Sequence, residues 1–203
     1  MEQRILLAFA GKMYTGKDTA ANIWVKRYKQ YFSDLLDKPQ NGSGPLIRDY
    51  QRLAFADGIK HICKCLFDLS DEDLNTPEGK KKHLLLYGKT VRELLQGVGE
   101  GLRQSVSPNI WVFNTVQKID KIMQFTECNI LVTDVRYPNE VAALKSRGFT
   151  MVKMMRNTGV EDNHPSERDL NDNLFDYIID NNGTIEDLEK KLLMIPAYTP
   201  ALC

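Results

Sequence analysis

The chain has no surplus of either charge: 27 Lys and Arg stand against 27 Asp and Glu over 203 residues. It therefore has no global field to gather DNA or an anionic membrane surface, and any anion must be met by local lysines and arginines. No basic stretch with interleaved aromatics appears, which argues against nucleic acid as a partner. No apolar run reaches membrane length, and Met-Glu-Gln-Arg leads directly into an apolar segment without a signal-peptide pattern, so no membrane partner is expected. The four cysteines (63, 65, 128 and 203) lack a regular disulfide spacing, and the expected compartment is the cytoplasm. Cys63 and Cys65 form a C-x-C pair, but residues two apart on a helix point to different faces and no second Cys/His pair follows nearby. Helix packing is favoured there over zinc. There is no G-x-S-x-G turn, and Ser166 is not on a strand-to-helix elbow, so a hydrolase triad has no support. Internal repeats and low-complexity segments are absent too. The length predicts one domain, 1–203, large enough for a real core.

What is present begins at residue 11. Gly-Lys-Met-Tyr-Thr-Gly-Lys-Asp-Thr (11–19) follows the apolar run Ile5–Ala10, giving the G-x-x-x-x-G-K spacing between a strand and a helix. Glycines let the backbone turn successive N–H groups toward a polyphosphate, and Lys17 can reach the outer phosphates. A helix starting near Gly16 adds the positive end of its dipole. Position 18, usually Ser or Thr for Mg²⁺, is Asp here, and Thr19 follows as a substitute hydroxyl.

Residues 4–10 read as a strand buried on both faces, and 17–32 as a helix. Turn formers fill 37–47. Tyr50–Ala56 reads as a short strand, with Asp57 as the N-cap of the next helix. The stretch 71–125 carries helix signals and almost no strand signals, with helices over 90–105 and from Pro108 onward. Strands return at 129–135, 149–155 and 177–180, with helices over 138–147 and 184–193; the last has Thr184 and Asp187 as its capped start. Alternating strands and helices predict an α/β fold, a parallel sheet covered on both faces. Ligands gather at the carboxyl ends of such strands, which collects residues 11–17, 56–57, 134–138 and 156–170 on one rim.

Three clusters lie on or near that rim. Asp134 ends a buried strand, where it either caps a turn, pairs with Arg136 or helps hold Mg²⁺; beside a phosphate loop the metal role is favoured. Arg136, two residues on, suits bidentate contact with a phosphate. Arg92, Gln96 and Arg103 share one helix face by their spacing, with Glu93 close by. Gly97, Gly99 and Gly101 are poor helix formers, so close approach of a backbone or ligand is expected there. The polar stretch about 156–173 begins with Arg156, contains Gly159 and reaches Arg168, as a lid that excludes water would. His164 is expected to fasten that loop by hydrogen bonds.

These residues, taken in order, resemble the phage-type deoxynucleoside monophosphate kinases. The resemblance rests on 11–19, Phe55-Ala56-Asp57 with Lys60, Arg92–Gln96 with Gly99 and Arg103, Asn109–Val112, Thr133–Glu140 and His164–Glu167. It implies a P-loop NTPase three-layer sandwich of the nucleoside monophosphate kinase type, with a five-stranded parallel sheet. It also implies a helical monophosphate-binding insertion over about 57–125 and a lid. In this group Asp after the loop lysine is normal. The resemblance implies that Gly11, Lys12, Met13, Thr15, Gly16, Lys17, Asp18 and Thr19 hold ATP phosphates with Mg²⁺, and that Arg92, Gln96, Arg103 and Arg136 hold the acceptor.

The expected reaction is in-line transfer of the ATP γ-phosphoryl group to a deoxynucleoside monophosphate in deoxynucleotide supply for DNA synthesis, in the host cytoplasm if the chain is phage-encoded. Lys17, Asp18, Arg136, Arg156 and Arg168 are the expected catalytic residues, and Asp18, Thr19 and Asp134 the expected metal-side residues. Two alternatives stay open: a kinase for another phosphorylated acceptor such as phosphomevalonate, whose animal kinases share the Gly-Lys-Asp loop and His-Pro-Ser-Glu, and a nucleotide-binding regulator without an acceptor. A homodimer is compatible with the sequence.

Overall fold

The computed structural model describes residues 4–36, 49–159 and 170–195. Two compact units divide the chain: Ala54–Lys118, and the segments on either side of it.

The flanking segments build the sheet unit. Five strands run parallel: β1 (Leu6–Ala10), β2 (Tyr50–Leu53), β5 (Asn129–Val135), β6 (Thr150–Met155) and β7 (Tyr177–Asp180), in the order β2-β5-β1-β6-β7. The uninterrupted apolar runs of β1 and β5 occupy its middle, where only side chains indifferent to water are stable on both faces. Leu7, Phe9, Leu131 and Met154 pack against Ala20, Ala21 and Trp24 of α1 (Lys17–Leu36) and against Leu188 and Leu192 of α8 (Ile185–Leu193). Their neighbours Ala8, Ala10, Ile130, Val132 and Met151 are equally buried; since alternate strand residues face opposite ways, both faces of the sheet are covered. The paired alanines of α1 leave room for the indole of Trp24, which donates from Nε1 to the Tyr50 hydroxyl at 3.0 Å. Buried Asn129 accepts from Ile5 N at 2.8 Å and ties the start of β5 to the residue before β1.

The ladder between β1 and β5 is irregular. Ala8 pairs with Val132 but Ala10 with Val135, a step of two residues against three, so β5 carries a bulge at Thr133–Asp134. After β5, Tyr137 precedes α7 (Pro138–Lys145), which has Pro at its first position; Gly148, at φ 81°, turns the chain into β6.

The helical unit holds α2 (Ala56–Phe67), α3 (Asp71–Asn75), α4 (Pro77–Lys81), α5 (Val91–Ser105) and the first half of α6 (Ile110–Phe125). Cys63, Leu69, Leu74 and Val91 form its core, while Cys65 is exposed, as their opposed helix faces require. Burial pushes the Cys63 thiol up to about 11. Ser70 with Asp73 and Thr90 with Glu93 form capping boxes that start α3 and α5.

Three expectations need correction. β2 stops at Leu53, because Phe55 already has helical backbone angles and α2 starts at Ala56. Asp57 therefore sits inside the first turn, where its carboxylate accepts from Ala54 N at 2.8 Å. The stretch 71–125 is not all helical: β3 (His83–Leu84) and β4 (Lys89–Thr90) pair antiparallel around a turn with Gly88 at φ 59°, and Leu85 and Leu86 stand exposed at its tip. α1 runs to Leu36, four residues further than its periodicity indicates. Among the described residues no helix is long and apolar enough to cross a membrane.

The cap of α8 gives a quantitative check. Thr184 Oγ1 accepts from Asp187 N and the Asp187 carboxylate accepts from Thr184 N, at 3.2 and 3.1 Å. Thr184→Ala removes one half of this exchange and is expected to cost about 1 kcal/mol, read as a lower urea midpoint with an unchanged slope.

Candidate active site

The phosphate-type loop is shaped by two glycines and closed by its own lysine. Gly11 adopts φ 141°, and a Cβ there would lie 2.5 Å from the Met154 carbonyl oxygen. Gly16 adopts φ 91°, and a Cβ there would strike the amide of Asn181. Neither position admits a side chain. Between them Tyr14 takes the left-handed conformation, and the buried Thr15 hydroxyl donates to the Lys12 carbonyl at 2.9 Å. Lys17, only 7% exposed, donates from Nζ to the carbonyls of Gly11 (2.8 Å) and Lys12 (2.6 Å). Its ammonium thus lies on the loop's own oxygens. Burial first, and then the Arg136 guanidinium, lower its pKa to about 7 against the opposing charges of Asp18 and Asp134. Lys17 is also the first residue of α1, so the positive end of that helix faces the loop.

The parallel register sets Val135 opposite Ala10, the residue before Gly11, so Asp134 and Arg136 flank the level at which the loop leaves the sheet. Both charges act on the Lys17 ammonium, Arg136 lowering its pKa and Asp134 raising it. The buried Glu140 carboxylate fixes the turn that carries Arg136, accepting from Arg136 N at 2.8 Å and Tyr137 N at 3.1 Å.

Asp18 is exposed and forms an ion pair with Arg52 at the end of β2. The same guanidinium donates to Thr133 Oγ1 at 3.3 Å and Asn22 Oδ1 at 3.4 Å. A carboxylate beside a polyanion needs a cation between them, and Arg52 supplies one that the sequence reading did not identify. Asp18, Thr19 and Asp134 offer hard oxygen donors near Lys17, a set that suits Mg²⁺ completed by substrate phosphates. Among the described residues no group of three His, Cys, Asp or Glu forms an all-protein metal cage.

In the helical unit, Arg92, Gln96 and Arg103 are half-buried along one face of α5. Contrary to expectation, no other backbone among the described residues closes on the α5 glycines: a Cβ at Gly99 would sit 3.0 Å from the Ile59 side chain at Cδ1 and 3.8 Å from Arg103 Nη1, whereas Gly97 and Gly101 have nothing within 4 Å. Buried Trp111 donates from Nε1 to the Gly99 carbonyl at 2.9 Å. Glu100 lies on the same face, one turn from Gln96, and its Oε2 is buried without a hydrogen-bond partner among the described residues.

Arg156 is exposed directly after β6. Arg168, His164 and Ser166 lie outside the described residues. Where description resumes, buried Lys153 pins the chain, donating to the Leu170 carbonyl at 2.7 Å and Asp172 Oδ1 at 2.6 Å.

Asn181, Arg52, Glu140 and Lys153 escaped the sequence reading as site residues. Glu140 had a local signal, an acidic residue three positions after the cap of a Pro-initiated helix. Buried Asn181, directly after β7, donates from Nδ2 to the Thr15 carbonyl at 2.9 Å. Asn181→Ala strands that buried carbonyl and is expected to cost roughly 1–3 kcal/mol; faster amide hydrogen exchange across residues 11–16 is the accompanying measurement.

The model of the deoxynucleotide monophosphate kinase family matches residues 66–192. A protein of Acanthamoeba polyphaga mimivirus, provisionally named a deoxynucleotide monophosphate kinase, is 28% identical over 93% of this chain and 94% of its own length. Two uncharacterised proteins of Ictalurid herpesvirus 1 (strain Auburn) are also similar. ORF77 is 27% identical over 69% of this chain and 68% of its own, and ORF76 is 24% identical over 93% and 66%. With a family match over more than half its length and a parallel sheet that ends in a lysine-closed glycine loop, the chain belongs to the deoxynucleotide monophosphate kinase family.

Proposed function

We propose that the protein transfers the γ-phosphoryl group of ATP to the 5′-phosphate of a deoxynucleoside monophosphate, yielding the diphosphate for DNA synthesis. The observation that carries this reading is the buried Lys17 ammonium inside the Gly11–Thr19 loop, with the charges of Arg136 and Asp134 acting on it. Family membership supports the kinase chemistry.

Phosphoryl transfer asks for position and charge neutralisation more than for covalent help, since the acceptor oxygen is already anionic at neutral pH. The amides of Lys12 to Lys17, with Asp18 and Thr19 following, cradle the phosphates, and Lys17 exchanges the loop carbonyls for the β- and γ-oxygens. Arg136 meets the acceptor phosphate, while Arg92, Gln96 and Arg103 hold the rest of the acceptor. Arg156 and Arg168 enter from the lid, about 156–173, within a single kinase domain whose acceptor region is helical. Mg²⁺ held by Thr19, Asp134 and Asp18 would neutralise charge on the phosphates when bound. Asp18 works next to a polyanion because Arg52 shares its charge.

A coupled ADP-release assay across the four common deoxynucleoside monophosphates, their ribose counterparts and phosphomevalonate tests the reading. ADP release is expected only with nucleotide acceptors, and lost on Arg136→Ala. ATP turnover indifferent to any monophosphate would replace the kinase with a regulator. Lys17 provides a second check. With a pKa of about 7, its amine is roughly nine-tenths neutral at pH 8, and a bound polyphosphate favours the charged form. ATP binding at pH 8 is therefore expected to take up close to one proton, an uptake that shrinks toward pH 6.5. Calorimetry in buffers of different ionisation heat measures it; a heat independent of buffer at pH 8 contradicts the role.

A further inference from the structure

The polar face of α5 contains an acceptor that nothing among the described residues satisfies. Glu100 Oε2 is buried with no hydrogen-bond partner among the described residues, while its other oxygen, Oε1, accepts from Gln104 Nε2 at 3.1 Å. Carboxylate oxygens removed from water are ordinarily matched by donors, and one left over marks a place where a donor arrives from elsewhere. A second orphan lies in the same unit: the hydroxyl of Thr115, a residue 1% exposed, on the turn of α6 after Trp111. Trp111 is itself bonded to the carbonyl of Gly99, the residue before Glu100. Gln96, one turn before Glu100, presents an amide that donates or accepts. Arg103, one turn after, has its guanidinium against Gly99.

We infer that Glu100 reads the base of the acceptor nucleotide and that the base it favours is guanine. The inference rests on the acceptor being a nucleotide, as proposed above. Each common base presents a different pattern on its pairing edge. Guanine alone offers two adjacent donors, N1–H and the N2 amino group, next to the acceptor O6. Glu100 Oε2 accepts from that donor pair, and the Gln96 amide donates to O6. Cytosine and adenine each set a ring-nitrogen acceptor beside their amino group, and thymine flanks its one N–H with two carbonyls. In all three a lone pair would face the carboxylate. A site built around a buried hydrogen-bonding group discriminates strongly, because the wrong partner leaves that group unmatched.

The test is calorimetric binding of dGMP, dAMP, dCMP and dTMP to the full chain and to Glu100→Gln, with thermal melts to check folding. The wild type is expected to bind dGMP at least about tenfold more tightly than the other three, and Glu100→Gln to remove that lead by weakening dGMP alone. Equal affinities for the four in the wild type overturn the inference, as does a guanine lead that survives the substitution. If Glu100→Gln melts early, Glu100→Asp, which keeps the charge but shortens the reach, is expected to lose the lead as well. Binding of ATP with no binding of any monophosphate refutes the acceptor reading itself, and this inference with it.

Discussion

Burying an ammonium ion is the constraint on which the site depends. An isolated charge taken out of water is costly, and a lysine meets that cost by finding oxygen partners or by losing its proton. Lys17 does some of each: two loop carbonyls accept from it, and its pKa falls to about 7. Both carbonyls belong to residues six and five positions earlier, so satisfying the lysine also winds the loop. Thr15 donates to the same Lys12 carbonyl, and Asn181 reaches the Thr15 carbonyl from beyond β7. The curve then depends on three donors rather than on glycine freedom alone.

Around that loop the charges are paired rather than massed. Arg52 shares its guanidinium among Asp18, Asn22 and Thr133, joining the first turn of α1 to β2 and β5. Exposed pairs of this kind contribute little to stability, typically about 0.2–1 kcal/mol, so the value of Arg52 lies in where it holds the Asp18 carboxylate. Glu140 serves Arg136 in a similar way through the backbone.

The positions of the sheet strands along the chain and the place of the loop were legible because each rests on short-range patterns: the unbroken apolar run of β1, the two glycines, and the capping signature before α8. Residues joined across long stretches of chain were not. Asn181 meets Thr15 from 166 positions away and Arg52 meets Asp18 from 34, and no local periodicity announces either pairing. The hairpin around Gly88 escaped for the opposite reason. Its two-residue strands are too short to show alternation, and Leu84 to Tyr87 reads as an apolar helix turn. Of the three glycines in α5, propensity flagged all alike, while among the described residues only Gly99 has a neighbour close by, the tip of the Ile59 side chain.

The surplus residue in β5 has a consequence for how this fold can vary. Side chains on a strand alternate sides, so one extra residue inverts the phase of everything beyond it. Thr133 is thereby able to meet Arg52 from β2 while the following residues approach Lys17 from β5. Trimming a residue there would smooth the ladder between β1 and β5 and leave a more regular sheet, yet it would turn the rim that follows, with Arg136, to the other side. The irregular rung is where a tidier, sturdier sheet and a working one part company.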